Sequence, residues 1–198
     1  MFNNMYQPLK NFVRTSMIAL ATLMLWIPQV SAFSDVPSNA YYKTALEWAV
    51  DEGIVENRAL FYPGIPLKRT ELAKMTLMAM QVPVEPLSYR PFSDVPGNSW
   101  YTAYVETGLL FGVFTGYTNE NGNPTGRFGP VNPTTRADAA KTLMVAFGMS
   151  DKICDTTFPD VDYGAWYGIS LDSACYYGVL QGDARGRARP SENVNRAE

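Results

Sequence analysis

The sequence contains no histidine among its 198 residues. This absence excludes histidine-based catalytic triads and histidine-containing zinc sites. Two carboxylates could in principle hydrolyse a glycosidic bond, but no acidic residue lies in a distinctive local motif. We therefore expect no catalysis, no cofactor and no bound metal ion.

Positive charge is also scarce, with 16 lysine and arginine residues against 19 acidic ones and a net charge of -3 at pH 7. Because binding to nucleic acid needs a basic footprint, nucleic acid is not expected as a partner. A few arginines could still hold an anionic ligand locally. The apolar fraction of 46% and the charged fraction of 18% are typical of a globular protein.

The longest apolar run lies at residues 17–27, behind Lys10 and Arg14 and ahead of small residues at 30–32. This order predicts a secretory signal peptide at 1–32, cleaved after Ala32. The alternative is an N-terminal membrane anchor, but the run is shorter than the roughly 20 residues that a span requires. Cleavage would remove two positive and no negative charges, so the net charge of -3 would become -5.

Cysteine is limited to Cys154 and Cys175. An exported chain with an even number of cysteines can form a disulfide, and we favour a bridge between these two. The alternative is that both are small buried apolar residues. Their spacing matches no zinc site.

Three copies of one pattern fill residues 33–198, aligned on Asp35, Asp94 and Asp160. A phenylalanine lies two residues before each aspartate and a valine directly after it. An aromatic pair begins six residues after the aspartate, an acid lies twelve after it and a glycine eighteen after it. The aromatic pairs are Tyr41-Tyr42, Trp100-Tyr101 and Trp166-Tyr167. Repeated offsets of this kind indicate stacked supersecondary units.

The pattern predicts two helices in each copy. Apolar or small residues at offsets eleven, fourteen and fifteen form the stripe of a first helix, and the glycine is typical of a left-handed helix end. A loop then leads to an arginine that opens a second helix; these arginines are Arg69, Arg136 and Arg196. Thr135 with Asp138, and Asn195 with Glu198, resemble capping boxes, whereas Lys68 is a weaker helix start.

The chain therefore divides into a signal peptide (1–32), repeat 1 (33–81), a linker (82–91), repeat 2 (92–147), a second linker (148–157) and repeat 3 (158–198). The second helix of repeat 3 is expected to begin where the sequence stops. The longest loop belongs to repeat 2 and contains the polar run 119–123. A calcium loop there would place Tyr117 at the first ligand position, so a polar turn is the better interpretation.

These features resemble the S-layer homology domain family over residues 33–198. The family's marks are an F-x-D-V opening, an aromatic pair, a helix that ends in glycine, and a T-R-A-E start to the second helix. They appear here as Phe92-Ser93-Asp94-Val95, Trp100-Tyr101, Gly112 and Thr135-Arg136-Ala137-Asp138. The segments 68–71 and 195–198 depart from T-R-A-E but keep the arginine. The resemblance implies a mainly α fold of tandem helix–loop–helix repeats, packed as a pseudo-threefold trimer.

The resemblance also implies a function, the non-catalytic anchoring of exported proteins at the bacterial cell wall or cell surface. The ligand would be a secondary cell-wall polysaccharide or another peptidoglycan-linked glycan, usually anionic and often pyruvylated. Arginines at helix N-termini would hold its carboxylate, and the first aromatic of each pair would stack on its sugars. The expected ligand-binding residues are Arg69, Arg136, Arg196, Trp100, Trp166 and Tyr41.

Residue chemistry leaves alternatives open. The tryptophans and phenylalanines also suit a hydrophobic core, and the aspartates suit a turn or cap. The arginines could pair with an acid of a neighbouring repeat such as Glu47 or Glu106, although the resemblance favours ligand contact for Arg136. A second hypothesis for the function is a structural, self-associating surface protein in which repeats of neighbouring chains complete each other.

Overall fold

The computed structural model describes residues 33–198, and the predicted signal peptide lies outside the described residues. Five helices follow one another in this part of the chain: α1 (Lys43–Asp51), α2 (Arg69–Met80), α3 (Thr102–Leu110), α4 (Arg136–Ala146) and α5 (Gly168–Tyr176). Within 33–198, strand pairing is limited to isolated bridges, and no helix is long and apolar enough to cross a membrane. The prediction of a mainly α protein built from helix–loop–helix repeats is confirmed.

The local signals for the helix ends act as expected. The first helices α1, α3 and α5 are each followed by a glycine with φ near 70°, namely Gly53, Gly112 and Gly178. Glycine adopts this left-handed conformation without strain. At the start of α4 the Thr135 hydroxyl accepts the Asp138 N–H at 3.1 Å. Lys68 provides no side-chain cap, but the Glu71 carboxylate accepts the Lys68 N–H at 2.9 Å.

The three repeats meet in a closed ring of backbone hydrogen bonds just ahead of the second-helix arginines. The Leu67 N–H donates to the Val194 carbonyl at 2.9 Å, Val194 donates to Thr134 at 2.9 Å, and Thr134 donates to Leu67 at 2.8 Å. All three residues are buried. Each repeat therefore needs both of the others to satisfy this central residue, which makes the ring a pseudo-threefold centre.

Each second helix packs against the repeat that follows it. Ala73 of α2 lies in one core with Phe92 and Phe128 of repeat 2, and Met144 of α4 lies in one core with Phe158 of repeat 3. The first half of a repeat thus buries its apolar stripe with a helix from its neighbour. This shared burial is the main favourable term in the folding of repeat proteins.

The first helix of a repeat also holds the linker that precedes it. The Thr107 hydroxyl donates to the Glu85 carbonyl at 3.0 Å and accepts the Glu85 N–H at 3.1 Å. Ser173 forms the same two bonds with Lys152, at 2.9 and 3.1 Å. Both linkers are therefore fixed to the fold by a hydroxyl that acts as donor and acceptor at once.

The acid twelve residues after the motif aspartate fixes the same linkers. Buried Glu106 accepts the Leu87 N–H at 2.8 Å. Burial raises the pKa of Asp172, and a hydrogen bond from the Cys154 N–H partly offsets the rise. Cys154 is joined to Cys175 of α5 by a disulfide. Glu106 and Asp172 thus hold backbone rather than neighbouring arginines.

The motif aspartates hold the loops that precede the second helices. The Asp35 carboxylate accepts the N–H groups of Phe61 and Tyr62 at 2.8 and 2.6 Å. The equivalent sets are Asp94 with Phe128 and Gly129, and Asp160 with Ala188 and Arg189. Burial acts to raise the pKa of Asp35, but the two hydrogen bonds and the charge of Arg196 outweigh it and hold the pKa below its ordinary value.

Replacing Asp35 by asparagine should lower the free energy of unfolding at pH 7 by about 2 kcal/mol, because charge-assisted hydrogen bonds are lost. Since the pKa is lowered in the folded state, the carboxylate's contribution is complete above its unfolded pKa of about 4 and is lost as the pH falls through the folded value. Denaturant unfolding of both proteins between pH 7 and pH 2 checks this, and the two stabilities should converge in acid. A constant difference over that range would contradict the assignment.

Reducing the Cys154–Cys175 bridge should lower the free energy of unfolding by about 3 kcal/mol, as loop closure predicts for cysteines 21 residues apart. Denaturant unfolding with and without reductant measures the difference. A variant with Cys154→Ala and Cys175→Ala is the control, since it should be insensitive to reductant. Equal stability of the oxidised and reduced wild-type protein is the outcome that disagrees with this expectation.

Candidate functional site

One arginine in each repeat reaches into the next repeat: Arg69 and Arg136 open α2 and α4, and Arg196, the equivalent residue of repeat 3, lies in a turn. The Nε of each arginine donates to the backbone carbonyl of one loop residue in the next repeat. The N–H of the same loop residue donates to the first carboxylate oxygen of the motif aspartate. The pairs are Arg69 to Phe128 at 2.9 Å, Arg136 to Ala188 at 2.8 Å and Arg196 to Phe61 at 2.9 Å. Aspartate and arginine therefore clamp one loop residue of each repeat from two sides.

Each arginine also pairs with the acid two residues after the equivalent arginine of the next repeat. The pairs are Arg69–Asp138 at 3.3 Å, Arg136–Glu198 at 3.1 Å and Arg196–Glu71 at 3.0 Å. These contacts form a second closed ring around the centre. The structural pairing that residue chemistry left open is present, but with other acids than the two suggested, because Glu47 binds Lys43 and Glu106 holds a linker.

The first aromatic of each pair lies on the surface. Tyr41, Trp100 and Trp166 are 80%, 57% and 55% exposed, whereas Phe33, Phe92 and Phe158 are buried. The core interpretation is therefore right for the phenylalanines and wrong for the tryptophans. The reason is that the second aromatic of each pair fills the inner side at the start of the first helix, where Tyr42, Tyr101 and Tyr167 pack against the cores.

One cavity of about 660 Å³ brings an arginine and a tryptophan together. We call it groove 1. Its walls come from the loop and α2 of repeat 1, from Trp100 and Tyr104 of repeat 2, and from Arg196 of repeat 3. An arginine thus meets the aromatic of another repeat, not the aromatic of its own repeat.

Groove 1 carries an excess of positive charge in an acidic protein. Its cations are Arg58, Lys68, Lys74 and Arg196, and its acids are Glu56 and Glu71. Hydrogen bonds from Lys74 and then Arg58 lower the pKa of Glu56 to about 2, so this acid is ionised and neutralised by its neighbours. Lys68 is exposed and forms no ion pair within the described part of the chain, so its charge faces the groove.

The equivalent position one repeat further on, groove 2, is partly filled. The Lys141 ammonium lies 5.1 Å from the centre of the Trp166 ring. The Arg69 guanidinium lies between the rings of Tyr117 and Phe128, at 4.7 and 5.0 Å. Groove 2 therefore has the same kinds of residue as groove 1, but two aromatic rings contact its arginine, whereas Arg196 in groove 1 contacts one, that of Phe61.

Tyr117 lies at the base of the long loop of repeat 2. That loop forms a small hairpin with a bridge between Thr118 and Pro124. At its tip the Asn119 side chain accepts the N–H groups of Asn121 and Asn123, both at 3.0 Å. This is a polar turn, and no group of acidic or cysteine side chains within 33–198 is arranged to hold a metal ion.

The third equivalent position, groove 3, differs again. Arg136 contacts Ala188 where the other two arginines have a phenylalanine. Its remaining nitrogens donate to Glu198 and to the Gln181 carbonyl at 3.1 and 3.4 Å. Tyr41 replaces Trp100 and packs at right angles against Tyr42, as Trp100 packs against Tyr101. The arginine that the resemblance favoured for ligand contact is thus bound on all three nitrogens within the protein.

Sequence reasoning missed several residues of groove 1, because it limited the expected ligand contacts to the second-helix arginines and the first aromatics. These residues are Arg58, Tyr62, Lys68, Lys74 and Tyr104. The one available signal was Lys68, which replaces the capping threonine of the T-R-A-E motif. That departure weakens the helix start but adds a positive charge to the groove.

Comparison with known proteins agrees with this architecture. The model of the S-layer homology domain family matches residues 32–73 and 91–140. The matched segments cover repeat 1 up to the first part of α2 and repeat 2 up to the first part of α4. Repeat 3 has the same motif, the same clamp and the same ring contacts in the structure.

Relatives come from two groups of bacterial proteins. An S-layer protein of Bacillus thuringiensis subsp. finitimus is 25% identical over 84% of this chain and 20% of its own length. The S-layer protein EA1 of Bacillus anthracis is 26% identical over 84% of this chain and 19% of its own length. An amylopullulanase of Thermoanaerobacterium thermosulfurigenes is 28% identical over 55% of this chain and 5% of its own length.

The chain spans about a fifth of the length of the S-layer relatives. The aligned part contains the repeats, with their aspartate–arginine clamps and surface aromatics. The chain therefore belongs, over residues 32–140, to the S-layer homology domain family, and it is a protein of the bacterial cell surface or cell wall.

Proposed function

We propose that this protein is a non-catalytic module that anchors to the cell wall by binding an anionic wall-linked polysaccharide, such as a pyruvylated one, in groove 1. The observation that carries the proposal is the meeting of an exposed tryptophan with a cationic cavity. Trp100 is 57% exposed and shares the cavity with Arg196, Lys68 and Arg58. An indole ring can stack on the apolar face of a sugar, while the cations attract its carboxylate.

Arg196 suits this role better than the other two arginines. Its side chain is 22% exposed, whereas those of Arg69 and Arg136 are each 11% exposed. A guanidinium has five N–H donors, and Arg196 uses its Nε and Nη1 in bonds to Phe61 and Glu71. Donors on Nη2 remain for a ligand. We therefore place the binding site at Arg196 and Trp100 and give Arg136 a structural role.

The relatives support anchoring rather than catalysis. An S-layer protein and an amylopullulanase share this kind of segment, which covers 20% and 5% of their lengths. A segment that an S-layer protein and a hydrolase share should serve a property that both proteins have. A place at the cell surface is such a shared property, and hydrolysis of a polysaccharide is not.

The first prediction concerns binding to isolated bacterial cell walls, before and after the wall-linked polysaccharide is removed. The wild-type protein should sediment with intact walls and stay in solution with stripped ones. Trp100→Ala should weaken binding about tenfold, since one exposed aromatic contact contributes roughly 1–2 kcal/mol. Lys68→Glu alone should weaken binding more than Trp100→Ala does. This loss should be larger at low salt, because at high salt ions screen exposed charges.

Trp48→Ala is the matched control. Trp48 is 56% exposed, like Trp100, but it does not line groove 1. This variant should bind walls as the wild type does. Circular dichroism confirms that each variant is folded. Equal binding by folded Trp100→Ala and wild type would show that groove 1 is not the site, and failure of the wild type to bind intact walls would remove the proposed function.

A second candidate function is self-association, and one observation favours it. A mainly apolar cavity of about 310 Å³ lies between α1, α2 and α4, with residues 194–198 at its edge. Since α2 packs on α3 and α4 packs on α5, the equivalent face of α1 is the place for a further helix. Within 33–198 no helix covers this face, and Ala45 and Trp48 are exposed there. A helix from a second copy of the chain could fill it.

Self-association should then be visible in solution and should depend on this face. Light scattering at increasing protein concentration should show a dimer or larger species. Ala45→Glu, which places a charge on the apolar face of α1, should shift the protein to a monomer without unfolding it. Lys43→Glu, at the edge of α1 outside the cavity lining, serves as the charge control. A monomer at all concentrations would rule this second function out.

A further inference from the structure

We propose that one position in each repeat decides what its groove can bind, namely the residue directly after the loop residue that aspartate and arginine clamp. In repeat 1 this residue is Tyr62, which makes groove 1 the glycan site. In repeat 2 it is Gly129, which lets Tyr117 close groove 2. The inference rests on the proposed function of groove 1. It adds a ligand-contacting residue, Tyr62, and a reason why three equivalent positions do not give three equivalent sites.

The backbone at this position is the same in all three repeats. Tyr62, Gly129 and Arg189 have φ values of 60°, 75° and 55°. Each donates its N–H to the second oxygen of the motif aspartate, at 2.6, 2.9 and 2.8 Å. Each accepts the N–H of the residue three positions later, at 3.2, 3.1 and 3.1 Å. The fold thus requires the left-handed backbone and leaves the side chain free to vary.

Tyrosine is a poor choice for such a backbone. Side chains other than glycine are strained in the left-handed region, and strain of this kind persists where function uses it. The Tyr62 side chain is 52% exposed, so burial does not explain it. It lines groove 1 together with Trp100 and Arg196. A second aromatic wall beside the cations explains why a strained tyrosine is kept there.

In groove 2 the same position has the opposite effect. A Cβ atom on Gly129 would lie 2.6 Å from the Tyr117 ring and 2.9 Å from the Asn132 side chain. The absence of a side chain at residue 129 therefore makes room for Tyr117. Its hydroxyl accepts a hydrogen bond from the Asn132 amide at 3.0 Å, and its ring covers Arg69. Gly129 leaves room for a ring, and Tyr117 from the base of the long loop of repeat 2 occupies the space that is open in groove 1.

In groove 3 this position is Arg189, whose charge pairs with acids of the same repeat. Arg189 donates to Glu192 at 2.9 Å and lies 3.8 Å from Asp183. The clamped residue is Ala188, where the other two repeats have a phenylalanine. Groove 1 combines an exposed aromatic wall with an excess of cations.

Isothermal titration of the purified protein tests the inference, with a size-fractionated oligosaccharide released from pyruvylated wall polysaccharide as the probe. The wild type should bind with a stoichiometry of one. Tyr62→Gly, which copies repeat 2 at this position, should bind about tenfold more weakly. Its melting temperature should not fall, because the backbone strain is relieved. Tyr62→Phe keeps the ring and should bind like the wild type.

Tyr117→Ala tests the closure of groove 2. A folded Tyr117→Ala protein should bind the same probe with a stoichiometry of two, whereas Tyr117→Phe should stay at one. An unchanged stoichiometry in folded Tyr117→Ala overturns the closure. Full affinity in Tyr62→Gly, when Trp100→Ala binds weakly, overturns the role of Tyr62 and leaves the proposed function intact. If the wild type binds neither the probe nor intact walls, the proposed function itself is wrong.

Discussion

The structure depends on one arginine in each repeat, Arg69, Arg136 or Arg196, whose guanidinium is bound inside the next repeat. Its Nε donates to a loop carbonyl, and its Nη1 pairs with the acid two residues after the equivalent arginine of the next repeat. The three arginines form a closed cycle, and the backbone ring through Leu67, Thr134 and Val194 runs parallel to it. Opening either cycle would leave partly buried polar groups without partners, which costs about 1–3 kcal/mol for each group. The three repeats therefore form one cooperative unit.

This cyclic arrangement decides where binding surfaces can arise. Groove 1 lies between repeats and takes its arginine, its loop and its aromatic residue from three different repeats. A ligand in such a groove contacts the interfaces that hold the trimer together. A ligand that binds only the folded state stabilises it by mass action, so the binding that we propose for groove 1 would be thermodynamically linked to folding.

The contacts that hold the three repeats together are symmetric, but the side chains on their surfaces are not. The clamp, the ring and the left-handed loop residue recur in every repeat with nearly identical distances. The side chains that these contacts leave free differ, as Tyr62, Gly129 and Arg189 illustrate. A lysine stands at position 68 where the other repeats have Thr135 and Asn195. Different grooves can therefore acquire different ligands, or none, without any change in the fold.

Much of this protein was predictable from local signals. The offsets of phenylalanine, aspartate and glycine located the repeats, the apolar stripes located the first helices, and the arginines marked the starts of α2 and α4. These features depend on backbone geometry and periodicity over a few residues, so the sequence by itself determined them. Residue chemistry left the tryptophans open between core and surface, because a large aromatic side chain suits both, and the structure shows them exposed.

Only the tertiary structure decided which residues meet. Arg196 and Phe61 are 135 residues apart in the chain, and no local pattern pairs them. The same holds for Trp100 and Arg196 in groove 1, and for the acids that hold linkers instead of arginines. These contacts arise because the chain closes into a ring, so that repeat 3 lies beside repeat 1. The sequence determined the parts of each repeat, whereas the closure of the ring determined the partners, since hydrogen bonds and apolar contacts between distant residues form only once all three repeats are in place.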